Sequence, residues 1–192
     1  MIGAGPGIDR RSLLGASAAA SLALLAPVGA TGAAARSGSR GFDFLIGRWR
    51  VKHRKLRMRL ADSSDWSEFS GKLEVRPILS GLGNVDDNVV DDPHGPYRAS
   101  SLRVFDAKDG LWSVYWIDAR AEGIDKPVVG AFEGRTGRFY NDDEWDGRPV
   151  RVRFTYENLG PVRARWAQAF SPDSGRSWET NWIMEFSRMG QN

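Results

Sequence analysis

From Phe42 onward, apolar and polar residues alternate in short runs broken by turn residues. A period of two over such runs is the mark of half-buried strands. The runs predict strands at 47–59, 66–76, 83–91, 97–106, 111–118, 127–134, 138–146, 149–158, 162–171 and 178–189. In 149–158, Val150, Val152, Phe154 and Tyr156 share one face, with Arg151, Arg153 and Thr155 on the other. In 162–171, Val162, Ala164, Trp166 and Phe170 point one way, and Gln168 is the polar exception among them. The last run places Trp178, Thr180, Trp182, Met184 and Phe186 on one parity. The first run changes parity midway: Trp49, Val51 and His53 are odd, Leu56, Met58 and Leu60 even. A kink at Arg54–Lys55 would restore its face.

Turns with a mechanism separate these runs: Asp109-Gly110, Arg135-Thr136-Gly137, Asp146-Gly147, Leu159-Gly160-Pro161 and Asp173-Ser174-Gly175. No window sustains a helical period with caps, and only 43–46 suits a short helical turn. About ten strands joined by hairpin-length loops would leave costly edges unless the sheet closed. The expected fold is all-β: a single antiparallel up-and-down barrel of about ten strands, with a short helical turn before the first.

Residues 1–41 break this pattern and carry no aromatic ring, although the chain has eight Trp, nine Phe and four Tyr. Arg10-Arg11 precede an Ala/Leu-rich stretch from Leu13 to Val28 and the small-residue site Ala33-Ala34-Ala35. This reads as a signal peptide over 1–35, and Arg10-Arg11-Ser12-Leu13-Leu14 resembles a twin-arginine export signal. Residues 36–41 then form a linker and 42–190 the barrel domain. The expected location is the periplasm or the exterior, and no later run is long enough to span a membrane as a helix. The 192-residue chain has a net charge of +3, too balanced to indicate nucleic acid. Zero cysteines exclude disulfides, thiolate metal sites and a Cys nucleophile.

The segment Phe42-Asp43-Phe44-Leu45-Ile46-Gly47-Arg48-Trp49 resembles the G-x-W entry of the lipocalin-like (calycin) barrels. That resemblance implies a Trp closing the barrel floor and a last-strand Arg packed over it. Trp49, Gly47 and Arg188 stand at the matching positions. Together with the closing Trp178-Glu179-Thr180-Asn181-Trp182, the opening also resembles a family of exported bacterial barrels without a characterised function. The related haem-binding barrels carry a C-terminal His ligand, and no His follows His94, so no cofactor is implied.

Three charged or turn features have bland explanations. Ser171-Pro172-Asp173-Ser174-Gly175-Arg176-Ser177-Trp178 resembles the Asp box of sialidase propellers, but a single copy cannot build a propeller. Asp173, Gly175 and Trp178 are therefore expected to stabilise a turn. The run Arg48, Arg50, Lys52, Arg54, Lys55, Arg57 and Arg59 contains no acid; its first four charges lie opposite Trp49, and it reads as a solvated face, balanced by Asp86, Asp87, Asp91 and Asp92 elsewhere. Asp142, Asp143, Glu144 and Asp146 lack calcium-loop spacing, so no metal site is expected.

The polar residues that could enter an aromatic cavity are His53, Arg103, Tyr115, Glu144 and Gln168, with Trp166 and Trp182 as walls. His53 shares the parity of Trp49, and Glu144 beside His53 or Arg103 would make an acid/base pair. No nucleotide loop, nucleophile elbow or zinc-protease motif is present. The sequence thus favours binding of a small apolar or amphiphilic molecule in a Trp-rich interior. Its alternatives are an acid/base isomerase, hydratase or hydrolase in the same cavity, and an interaction barrel with a filled interior. Oligomeric state and ligand identity are not encoded in any of these patterns.

Overall fold

The computed structural model describes residues 38–190, so the leader at 1–35 lies outside the described residues. A 3₁₀ turn (Asp43–Leu45) leads into ten strands: β1 (Gly47–Leu56), β2 (Trp66–Ile78), β3 (Gly83–Val90), β4 (Tyr97–Asp106) and β5 (Leu111–Asp118), then β6 (Val128–Glu133), β7 (Thr136–Trp145), β8 (Arg148–Asn158), β9 (Arg163–Ser171) and β10 (Glu179–Arg188). Each strand pairs with its sequence neighbours, and β1 pairs with β10 to close the barrel. All pairings are antiparallel, which hairpin-length connections permit. Closure leaves no free sheet edge. The β7–β8 hairpin turns on Asp146-Gly147, both at positive φ (52° and 73°), matching the right-handed strand twist. No helix among the described residues is long and apolar enough to cross a membrane.

Strand polarity gives the barrel a floor and a mouth. The floor holds the start of β1 and the end of β10; the mouth holds the β1–β2, β3–β4 and β5–β6 loops. At the floor, Trp49 is fully buried and its indole N–H donates to the Leu45 carbonyl at 2.7 Å. The Arg188 guanidinium lies 4.2 Å from the Trp49 ring centre and donates to the Phe44, Ile46 and Pro161 carbonyls, each at 2.7 Å. It thereby satisfies carbonyls at the 3₁₀ turn and anchors the first strand to the last. Gly47 has φ +119°, and a Cβ there would sit 2.7 Å from an Arg188 nitrogen, so neither backbone nor space admits a side chain.

Four details depart from the alternation read in the sequence. First, β1 keeps unbroken register with both neighbours through Lys55, so there is no kink at Arg54–Lys55. Second, the irregularity lies opposite, on β10, where register against β9 shifts between Thr180 and Trp182. Asn181 is the extra residue, so Trp178 and Thr180 do not share the inner face of Trp182. Trp178 instead meets Tyr140 and the Arg153 guanidinium, on the outward parity of β7 and β8. Third, Val162 precedes β9 and is 58% exposed. Fourth, Asp86 is a core residue at 3% exposure and not a surface acid. On β3 the alternation runs backwards: Asn84, Asp86 and Asn88 are buried, while Val85 and Val89 are only partly covered.

The interior is a continuous stack of rings. Phe42 plugs the floor, with edge-on contacts to Trp112, Phe132 and Tyr156 at 4.8–4.9 Å between centres. Tyr156 adjoins Trp166, and Trp166 meets Trp182 edge-on at 5.4 Å. Such edge-to-face pairs are favoured over flat sandwiches by the ring quadrupoles.

Candidate functional site

At mid-barrel the polar stripe of β3 and β4 meets the ring stack. Arg103, 4% exposed, donates to Asp86 at 2.6 Å and to Asn84 at 2.9 Å. Asp86 also accepts from the Ser101 backbone N–H at 2.7 Å and from the Asn88 amide. Burial alone disfavours the guanidinium charge, but Tyr156 and Asp86 outweigh it and hold the Arg103 pKa above the ordinary arginine value. The Arg103 guanidinium also faces the Phe42 and Tyr156 rings, at 5.3 and 5.5 Å. The void here, bounded by Asp86, Arg103, Trp116, Phe154 and Trp166, is about 20 Å³. That is room for one water molecule, and Arg103 Nε, buried without a partner, faces this region's need for one. The deep interior is filled.

The space lies at the mouth. A cavity of about 260 Å³ is bounded by Lys55, Leu56, Ser67, Phe69, Asp92 and His94. A second, of about 70 Å³, lies across the mouth against Trp116, Asp125, Asn141, Asp143, Gln168 and Phe170. Trp182 lines neither, but it touches one lining residue of each, Lys55 and Trp116. It contacts Trp116 edge-on at 5.7 Å, and its indole N–H donates to His53 Nδ1 at 3.2 Å. The Lys55 ammonium sits 4.5 Å from its ring centre. A larger depression of about 890 Å³ lies outside the floor, among Arg40, Asp43, Lys108, Asp109 and Arg135. It is open, as the mouth space is, and is bounded also by Phe44, Trp112 and Phe132; its Arg40 and Asp43 pair with each other at 2.9 Å, and it touches none of the inward polar groups.

His53 is 1% exposed and stacks on Phe69, with 4.8 Å between ring centres. Burial, reinforced by the Lys55 charge, lowers its pKa to about 4, so it is a neutral imidazole at pH 7. Accepting the indole proton at Nδ1 assigns the hydrogen to Nε2. A Cβ on Gly71 would stand 2.7 Å from Nε2, so the glycine makes room for the ring.

Lys55 is the distinctive group. Burial, with the nearby Arg59 charge, lowers its pKa to about 8, against weaker opposition from Asp92. It makes no hydrogen bond or salt bridge among the described residues, whereas Lys52 pairs with Glu68 at 3.2 Å on the outer face. The β1–β2 loop folds over the same end. Its Leu60 N–H is held by the Glu179 carboxylate at 2.8 and 2.9 Å, and Arg59 lies 4.4 Å from the Trp145 ring centre. Arg120, gripped by Asp118 at 2.7 and 2.9 Å, covers the Tyr97 ring at 3.3 Å.

The residues singled out by sequence therefore separate. His53, Trp182 and Gln168 lie toward the mouth, with Gln168 donating to Asn181 at 2.9 Å, while Trp166 stands at mid-barrel between Tyr156 and Trp182. Arg103 lies deeper, tied to Asp86. Glu144 is exposed on the outward parity of β7, opposite Pro149, and pairs with neither His53 nor Arg103. Tyr115 is half-buried on the parity opposite Trp112, Val114 and Trp116. In the 171–178 turn, the Asp173 carboxylate accepts from the Ser177 N–H, the Ser177 hydroxyl and the Ser171 hydroxyl, which lowers its pKa. Gly175 has φ +97° and its carbonyl accepts the Trp178 indole at 3.0 Å. These residues hold a turn. Lys55, Asp86, Trp116 and Asn181 were not singled out. For Lys55 the signal was present: it continues the odd parity of Trp49, Val51 and His53.

No protein-family model matches the chain, and no curated protein is significantly similar in sequence. Among solved structures, the S-type phycobiliprotein lyase CPES from Guillardia theta superimposes with a TM-score of 0.55 at 10% identity, covering 84% of this chain and 98% of that one. A redesigned β-barrel aligns with a TM-score of 0.44, also at 10% identity, over 79% of this chain and 96% of that one. At such identity the likeness to the lyase is one of fold alone. The chain is a closed, ten-stranded antiparallel barrel that shares its fold with that lyase.

Proposed function

We propose that this protein is an exported small-molecule-binding barrel whose ligand sits at the mouth and not in the deep interior. The ligand is a ring-bearing amphiphile: its apolar part lies against Phe69 and Leu56, and its electron-rich polar end meets Lys55. One observation carries this reading. An ammonium that is half-buried over a Trp ring, without a carboxylate or hydrogen-bond acceptor, adjoins a cavity of about 260 Å³. A cation so placed is incompletely compensated, and an incoming acceptor would relieve that. The lyase likeness is compatible with ligand binding by such a barrel but supplies no ligand. Export rests on the Arg10-Arg11 leader, and replacing both by Lys would block it.

The test uses two naphthalene probes, the anionic 8-anilinonaphthalene-1-sulfonate and the neutral N-phenyl-1-naphthylamine, titrated against Trp fluorescence. Both should bind. Lys55→Met should weaken the sulfonate by roughly tenfold, in line with the loss of one charge-assisted contact, and change the neutral probe by less than about threefold. Failure of both probes to bind, or equal sulfonate affinity in the variant, would overturn the proposal.

A further inference from the structure

We infer that the polar end of the ligand is an aldehyde or ketone carbonyl, and that the Lys55 amine captures it as an imine in the cavity beside Trp182. This rests on the mouth-binding reading and adds the chemical class of the ligand. Four features of the site carry it. Lys55 is one of the residues that line a cavity of about 260 Å³, and its ammonium lies 4.5 Å from the Trp182 ring centre. It makes no salt bridge among the described residues, unlike Lys52, and its ammonium faces the Trp182 ring, with Asp92 and Asp118 acting on it only at a distance. His94 and Asp92 bound the same cavity, with His94 Nδ1 3.2 Å from an Asp92 carboxylate oxygen, so its rim carries an imidazole of the kind that can relay protons. Phe69 and Leu56 supply the apolar flank that an imine needs to be shielded from bulk water.

The balance of the step is simple. The amine lone pair forms a C–N bond to the carbonyl carbon while the C=O π pair moves to oxygen, which takes a proton. Nitrogen loses one, giving a carbinolamine. Protonation of its hydroxyl expels water and leaves the protonated imine, whose nitrogen then releases that proton to give C=N, with no change of oxidation state. The step requires neutral amine, and the charges facing Lys55 decide how much exists. Arg59 and Arg120 disfavour the ammonium, while Asp92 and Asp118 favour it, and burial dominates. At pH 8, with its pKa at about 8, close to half of Lys55 is neutral, against under about one per cent for an ordinary lysine.

The experiment is reductive trapping on the purified protein: 2-naphthaldehyde with sodium cyanoborohydride at pH 8, followed by peptide mapping. The chain offers Lys52, Lys72, Lys108 and Lys126 as internal standards. The Lys55 peptide should be modified at least tenfold faster than any of these, and N-phenyl-1-naphthylamine should protect it. Lys55→Arg should remove the fast site while Lys52, Lys72, Lys108 and Lys126 react at their wild-type rates. Uniform modification of all lysines, or a Lys55 no faster than the rest while the neutral probe still binds, would overturn imine capture alone. Failure of the neutral probe to bind would overturn both the capture and the mouth site.

Discussion

Two basic residues two positions apart on β1 carry opposite lessons about burial. His53 and Lys55 both point inward, and both lose basicity because a charge in the ring stack is poorly solvated. For His53 the consequence is a pH dependence of stability. Its folded pKa of about 4 lies below the unfolded value of 6.5, so only the unfolded chain takes up the proton in between. Stability is therefore full above about pH 6.5 and is lost as the pH falls toward 4. The loss should be on the order of 3 kcal/mol. Urea midpoints should fall between pH 7.5 and 4.5 in the wild type, and this component should be absent in His53→Gln. A midpoint difference unaffected by the substitution would show that His53 is not the group responsible.

At the scale of elements, the alternation rule located strands well and located faces wherever the inner face was apolar. β8 is an example, with Val150, Val152, Phe154 and Tyr156 all buried. It failed on β3, because Asn84, Asp86 and Asn88 take the inner positions and their valines the outer ones. Read alone, β3 points its acids outward; only the partner strand, bringing Arg103 opposite Asn84, reverses it. It failed on β10 because an inserted Asn181 switches parity, which no composition rule marks. The first strand misled in the other direction. Its parity change reflects the end of pairing at Leu56, and a supposed kink concealed Lys55. The β3–β4 stripe makes its own prediction. Asp86→Ala leaves the buried Arg103 without its carboxylate and should cost about 3–5 kcal/mol in urea unfolding. Asp86→Leu combined with Arg103→Met should cost much less, since no uncompensated charge remains. Equal losses in the two proteins would mean that the ion pair is not what the stripe protects.

For the molecule as a whole, the aromatic excess after Phe42 proved to be filling as well as lining. Phe42 seals the floor, Tyr156 and Trp166 occupy the middle, and Trp182 and Trp116 reach the mouth. A sequence can place rings on inward parities, but their packing density depends on where facing strands set them. The site we propose therefore lies at the end of the barrel, where the stack gives out and Lys55 begins. The most direct test follows the indole N–H resonances of ¹⁵N-labelled protein during titration with N-phenyl-1-naphthylamine. Trp182 and Trp116 should shift, while Trp49 and Trp112, hydrogen-bonded to Leu45 and Gly38 at the floor, should stay in place. Shifts confined to Trp49 and Trp112, or no indole shift at saturating probe, would contradict a site at the mouth.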